Sequence, residues 1–359
     1  MEKRISILPS GHSFWAEENE SILQAGLKAG FAMPYGCSNG TCGLCRARLI
    51  EGEIETIKHT DYPFNERERS QGFILTCACS AVSDGVVLDV AEAGSVDDIA
   101  HQEIMVRVRS IVPAAEDLLI VRVQTPRSQR FRFLAGQNAA LVVMRDDDVI
   151  ATRTLPVASC PCDDRNLEFH VVRQDDDRLF EELSGQNGKV RELTLTGPTG
   201  NFVLNHSAGR QYVFVAQDTG FAPVRSLIEH AMSLDEDAHM QLFWLASATS
   251  GHYLENLCRS WADALDNFNF ELLDGMQEID LVQKVLAEDG ANPDREIFIA
   301  GTDEFVSTLE RDLSAVGITG QLPHLNRLQD QSGSAQTSDG EGAGRGSQNV
   351  KVTTSCVSN

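Results

Sequence analysis

Three cysteines, Cys37, Cys42 and Cys45, fall within nine residues of each other in the stretch PYGCSNGTCGLC, interleaved with Gly36, Gly40 and Gly43. Their spacing is C-x4-C-x2-C, and Cys77 and Cys79 follow in GFILTCACS. Three clustered thiolates with a distant fourth form a ligand pattern for a [2Fe–2S] cluster, in which four sulfurs hold two irons. The glycines suit that chemistry, because a loop wrapping a cluster needs left-handed turns and backbone amides close to the sulfurs. A zinc site and buried structural cysteines are the competing readings, but zinc usually takes paired C-x2-C knuckles. The chain has nine cysteines in all, an odd and unevenly clustered set, and its N-terminal stretch lacks an apolar core. A disulfide framework is therefore not expected, and a cytoplasmic setting is.

The flanks supply elements to hold such a loop. Arg4 to Leu8 alternates like a strand, and SILQAGLKAG has helical spacing with Ser21 placed to cap it. RARLIEGEIE alternates again, and GVVLDV closes a first unit near residue 90. A polar, aperiodic linker is expected over 93–103. Strand patterns follow: MVRV, LLIVRVQTP, AALVVM, LEFHVV and ELTLTG, the mark of a β-barrel over 104–208. From Gln211 the pattern becomes strand–helix alternation (YVFVA, PVRSLIEHAM, MQLFWLA, YLENLCRSWADAL, FNFELL, DLVQKVLAED, EIFIA, EFVSTLERDLSAVG), which predicts an open parallel sheet over 209–327. Residues 328–359 are polar and rich in glycine and serine, so a disordered tail is expected there.

Composition narrows the partners. The chain has 359 residues, 30 basic and 53 acidic, for a net charge of −23. That charge argues against nucleic acid or anionic lipid and fits either a basic partner surface or solubility alone. No apolar run approaches the ~20 residues that span a bilayer.

This order of units, a strand-rich barrel and a strand–helix alternation after a unit bearing Cys37, Cys42, Cys45 and Cys77, resembles the ferredoxin–NADP reductase superfamily. It is most similar to reductases that fuse a plant-type [2Fe–2S] ferredoxin to a flavin reductase, such as those serving phenol hydroxylase, methane monooxygenase and CDP-6-deoxy-glucoseen reduction. The resemblance covers about 1–325. It implies a ferredoxin-like α+β (β-grasp) domain over 1–92, an antiparallel flavin-type β-barrel, and an α/β nucleotide-type domain with a parallel sheet. It implies FAD, NAD(P)H and the cluster as cofactors, and a protein electron acceptor such as an oxygenase component. Cys77 is chosen over Cys79 because ILTC resembles the family's fourth-ligand segment.

Residue by residue, RTLPVAS (153–159) stands where the family has R-x-Y-S-x-A-S. Arg153 would pair with the FAD pyrophosphate, with Thr154 and Leu155 beside the flavin. Arg173, from the strand LEFHVVR, is a second flavin candidate, or else a charge on the barrel surface. GPTGNFVL resembles the family's G-P-x-G-x-F, and DTGFAP its T-G-x-A-P turn, where the backbone at Thr219 and Gly220 would face a pyrophosphate. Departures accumulate as well. Leu155 and Pro156 replace tyrosine and serine, and Gln174-Asp175-Asp176-Asp177 replaces a glycine-rich phosphate loop. Gln217-Asp218 replaces Gly-Gly, Ser247 a common arginine, and Ala300 a cysteine facing the nicotinamide. Two functions stay open: an NAD(P)H-oxidising flavin reductase feeding the cluster, or a cluster relay of reductase architecture that has lost NAD(P)H and possibly FAD binding. The residues Cys160, Cys162, Cys258, His230 and His252 have bland readings: a turn with weak metal potential, core packing, and solvated histidines.

Overall fold

In the computed structural model the described residues are 2–35, 38–90, 99–127, 129–185, 190–204, 211–233, 238–246, 251–275, 295–315 and 324–328. They build three principal sheets, each with its own core.

The first sheet has the order Ser13–Ala16, Lys3–Leu8, Val86–Asp89, Arg46–Glu51, Phe73–Leu75. Lys3–Leu8 runs parallel to Val86–Asp89, and the other neighbours are antiparallel. Ile5 and Ile7 alternate inward, as period two requires, and are fully buried beneath the helix Ile22–Lys28. Ser21 caps that helix, its hydroxyl accepting from the Gln24 amide at 3.2 Å. The alternating run RARLIEGEIE is not one strand. It breaks into Arg46–Glu51 and Ile54–Thr56, and the latter leaves the sheet to pair with Cys79–Ala81. Gly52 makes the break: it sits at φ +93°, and a Cβ there would meet the Val86 backbone at 2.9 Å.

The second sheet is antiparallel throughout, in the order Asp148–Pro156, Asn138–Arg145, Glu192–Thr199, Gln102–Ala115, Leu118–Gln124, Asn166–Val172. Just past its first strand, the Ala158 amide donates to Glu168 of its last strand at 2.8 Å, so the sheet curls back on itself. Its core is filled by Phe131, Leu141, Phe169 and Leu195, all fully buried. The first long strand starts at Gln102, two residues before the expected boundary. The Gln102 amide bonds both the N–H and the C=O of Arg132.

The third sheet is wholly parallel: Phe268–Leu273, His239–Leu245, Gln211–Gln217, Arg295–Thr302, His324–Leu328. Its central strand, YVFVA, is buried on both faces, as a parallel strand between helices must be. The strand order reverses between Gln211–Gln217 and Arg295–Thr302, which puts a crevice at their carboxyl ends. The helix Phe221–Ser233 follows a 3-10 turn at Asp218–Gly220. The edge strand His324–Leu328 was not anticipated, since its burial is only partial and its pattern weak. The expected helix over 280–289, Ser247, most of the linker and nearly all of the tail lie outside the described residues. Among the described residues, no helix is long and apolar enough to cross a membrane.

Candidate functional site: a cysteine loop and an arginine-lined cleft

Cys45 and Cys77 are buried with their sulfurs 3.2 Å apart, although 32 positions separate them in sequence. The antiparallel pairing of Arg46 with Leu75 makes the contact, delivering the residues just outside that pair to the same point. Cys42 lies exposed on the same loop, its sulfur accepting from the Leu44 amide at 3.5 Å. Cys37 and Gly36 lie outside the described residues. Cys79 is committed elsewhere, paired in register with Thr56 in the two-stranded ladder. Among the described residues, no three His, Cys, Asp or Glu side chains converge on one point. The loop still fits a cluster: two of the four expected sulfurs touch, and the backbone turns where a tight wrap needs it. Gly43, at φ +72°, has the Tyr62 ring 2.1 Å from where a Cβ would stand, so no other residue fits there without moving the ring.

This loop is fastened to the antiparallel sheet. Tyr35, two residues before Cys37, is buried, and its ring lies under the Arg132 guanidinium at 5.7 Å. His230, expected to be solvated, is buried beside Met33, Phe133 and Pro161 at the same junction. His252 is likewise enclosed, one ring nitrogen 2.8 Å from the Trp244 carbonyl oxygen. Cys160 and Cys162 are joined by a disulfide across Pro161 and are not a metal pair in this structure. Cys258 packs in the core, where burial pushes its thiol up to about 12.

A cavity of about 290 Å³ opens between the antiparallel and parallel sheets. Arg153, Thr154, Leu155, Arg173 and Thr219 all line it, so five of the six predicted cofactor residues come together. The sixth, Gly220, does not line it. A Cβ there would stand 2.2 Å from the Ala300 carbonyl, so this glycine lets the helix seat on the strand. Ala300 is buried in the core, away from the cavity.

The Arg153 guanidinium is one of three on the cavity wall, with Arg173 and Arg327. One nitrogen donates to Asp177 at 2.8 Å, while Nε and Nη2 are buried without an acceptor. Burial pushes this guanidinium below the usual arginine value, against the opposing pull of Asp177. Buried N–H groups without acceptors cost free energy unless a ligand supplies them. A phosphate group fits that deficit. Arg173 spreads its guanidinium over the Phe180 ring at 4.5 Å, on the cavity wall. Across the cleft, Gln217 accepts from both the N–H and the hydroxyl of Thr302, at 3.0 and 2.9 Å, bridging the strand ends at the switch point. Asp218 holds φ +49°, and its carbonyl accepts from the Trp244 indole at 3.0 Å.

Sequence reasoning missed one buried network. His170 lies at the cavity edge with its ring nitrogens 2.8 Å from the Tyr253 hydroxyl and 3.1 Å from Glu168. Glu168 also accepts from Arg122 at 2.6 Å and from Arg225 of the helix Phe221–Ser233, so the network ties barrel to parallel sheet. The available signal was LEFHVV itself, whose alternation puts Glu168 and His170 on one face. Burial opposes the Glu168 charge, but the His170 hydrogen bond and the Arg225 and Arg122 guanidiniums hold it well below the usual carboxylate range. Burial holds His170 below the ordinary histidine value, against Glu168. A histidine whose folded value is depressed gives stability that is complete above its unfolded value and lost as pH falls. We therefore expect the melting temperature to drop below about pH 6.5. The drop should be smaller in His170→Asn, as measured by melting curves across pH; equal pH profiles would contradict it. Glu168 follows the same sign, with its loss confined to pH below about 4.3.

Residues 5–82 match the family of the 2Fe-2S iron-sulfur cluster binding domain. A CDP-6-deoxy-L-threo-D-glycero-4-hexulose-3-dehydrase reductase of Yersinia pseudotuberculosis is 29% identical over 272 residues, covering 75% of this chain and 79% of the relative. The terephthalate 1,2-dioxygenase reductase component 2 of Comamonas sp. is 28% identical over 270 residues, covering 75% and 78%. The crystal structure of a cytochrome P450 reductase of Amycolatopsis superposes with TM-score 0.53 at 21% identity, over 90% of this chain and 98% of that one. The match to the 2Fe-2S cluster binding domain is confined to residues 5–82, while the structural similarity extends over 90% of the chain, so the chain shares the overall fold of these solved reductases.

Proposed function

We propose that this chain is the reductase component of a multi-protein oxidoreductase, passing electrons from NAD(P)H through FAD and a [2Fe–2S] cluster to a partner oxygenase or dehydrase-type enzyme. The observation that carries it is one of juxtaposition. Tyr35, just before the cysteine loop, packs under Arg132 of the same barrel unit whose strand Asp148–Pro156 carries the unsatisfied Arg153. A ferredoxin unit beside a flavin-type barrel and a parallel sheet is the arrangement such a path needs, and the named relatives are reductase components.

When bound, FAD and the cluster supply the division of a hydride's electron pair into single electrons. The chain's own residues bind and orient. Arg153 and Arg173 neutralise the cofactor's phosphates, and Thr154 and Leu155 form the wall beside them. Thr219, on the cavity wall just before the helix Phe221–Ser233, would face the nucleotide's phosphates. Cys37, Cys42, Cys45 and Cys77 ligate the cluster, and Cys42 and Leu44, both exposed, form the face turned to the electron acceptor.

A second reading has one observation in its favour. Gln217 bridges to Thr302 in the crevice where a dinucleotide would enter, which favours a relay that takes its electrons from elsewhere. The visible spectrum separates the two. A reductase shows flavin and cluster bands that NADH or NADPH bleaches; a relay shows cluster bands that dithionite removes and pyridine nucleotides leave alone.

A further inference from the structure

The barrel places a protein carboxylate on the cation that would hold a cofactor phosphate. Asp177 Oδ2 accepts from Arg153 Nη1 at 2.8 Å and from the Gln174 amide at 3.1 Å, and Oδ1 accepts from the Phe180 amide at 3.0 Å. A guanidinium and two backbone amides are the donors that phosphate oxygens take in proteins. Both side chains are buried, 9% and 6% exposed, so neither salt nor water screens the pair. The local backbone serves this placement. Asp176 adopts φ +51°, a left-handed turn, and Asp177 then stands as N-cap of the helix Arg178–Ser184. One of the three Arg153 guanidinium nitrogens donates to the protein, and the other two are buried without an acceptor in a side chain that lines the cavity.

We propose that Asp177 sets the anion specificity of this slot: its carboxylate competes with the phosphates of the flavin for Arg153, so the cofactor enters against an internal negative charge. This rests on the flavin reading above. It makes FAD binding weaker and more exchangeable than the same barrel would give with an uncharged residue at 177. Two like charges sharing one buried cation repel strongly at short range. Removing one should therefore tighten binding by about tenfold or more.

The test uses the full chain as wild type, Asp177→Asn, Arg153→Ala and the double variant, titrated calorimetrically with FAD and separately with inorganic pyrophosphate. Asparagine keeps the N-cap acceptor, so the helix is retained. Asp177→Ser is a second capping, uncharged variant to be read identically should the first not fold. The proposal expects Asp177→Asn to bind FAD and pyrophosphate at least about tenfold more tightly than wild type, and the gain to vanish in the double variant. Unchanged or weaker FAD binding in a folded Asp177→Asn overturns it, as does a gain that persists without Arg153. FAD bound to wild type but indifferent to both residues would remove this proposal and leave the flavin reading standing. FAD absent from every variant would remove both.

Discussion

Cys77→Ser protein, reconstituted with iron and sulfide, should retain at least about tenfold less iron than wild type, while Cys79→Ser should retain a full complement. Serine at 77 removes one of the two sulfurs already in contact, and the loop has no substitute for it: Cys79 is held in a different ladder, opposite Thr56. The loss should reach past the metal. Cys45, Cys77, Ala47 and Leu75 belong to one buried cluster with Ile5, Ile7 and Met33, so the ferredoxin unit should unfold more readily without its clamp. Iron and acid-labile sulfide assays on both variants check the assignment. Equal losses at 77 and 79, or a loss at 79 alone, would move the fourth ligand.

Arg153→Ala should be costly in two separate ways. Truncation leaves Asp177 as a buried carboxylate without its ion pair, which typically destabilises by about 3–5 kcal/mol. It also deletes the slot's main phosphate donor, and flavin affinity should fall by on the order of 100-fold. Urea denaturation followed through the barrel transition reads the first effect, and flavin stoichiometry after dialysis reads the second. Arg153→Lys should restore part of the stability and little of the binding, because an ammonium offers a point charge in place of a planar fork. Unchanged flavin content in Arg153→Ala would show that the flavin's phosphates rest elsewhere.

Much of this architecture is legible in the sequence because its signals are local. Ile5 and Ile7 alternate, Ser21 precedes a helical pattern, and YVFVA is apolar without interruption, so each element declares itself within a few residues. The cysteine spacing is equally local, apart from its fourth member. What escaped depends on pairs that only the fold creates. Glu168 meets Arg225 across 57 positions, and His170 meets Tyr253 across 83. No periodicity encodes such partners. The acidic run at 175–177 stands in the sequence only as the replacement of a phosphate loop, and the fold alone shows that Asp177 is both a helix cap and the counter-ion of Arg153. Gly220 carries a packing demand its motif does not reveal, since a Cβ there would stand 2.2 Å from the Ala300 carbonyl oxygen. His230 reads as a solvated helix residue because its own helix pattern cannot reveal that the cysteine-bearing unit lies over it.

The central claim is that one polypeptide carries electrons from a pyridine nucleotide to an iron–sulfur centre. Electron paramagnetic resonance on anaerobically reconstituted, FAD-loaded protein tests it most directly, with spectra taken after NADH, NADPH or dithionite. The account predicts a rhombic signal from a reduced [2Fe–2S] cluster after NADH or NADPH, matching the dithionite signal in intensity. A dithionite signal with no response to either nucleotide would contradict the reductase and leave a relay, and silence under all three would remove the cluster itself.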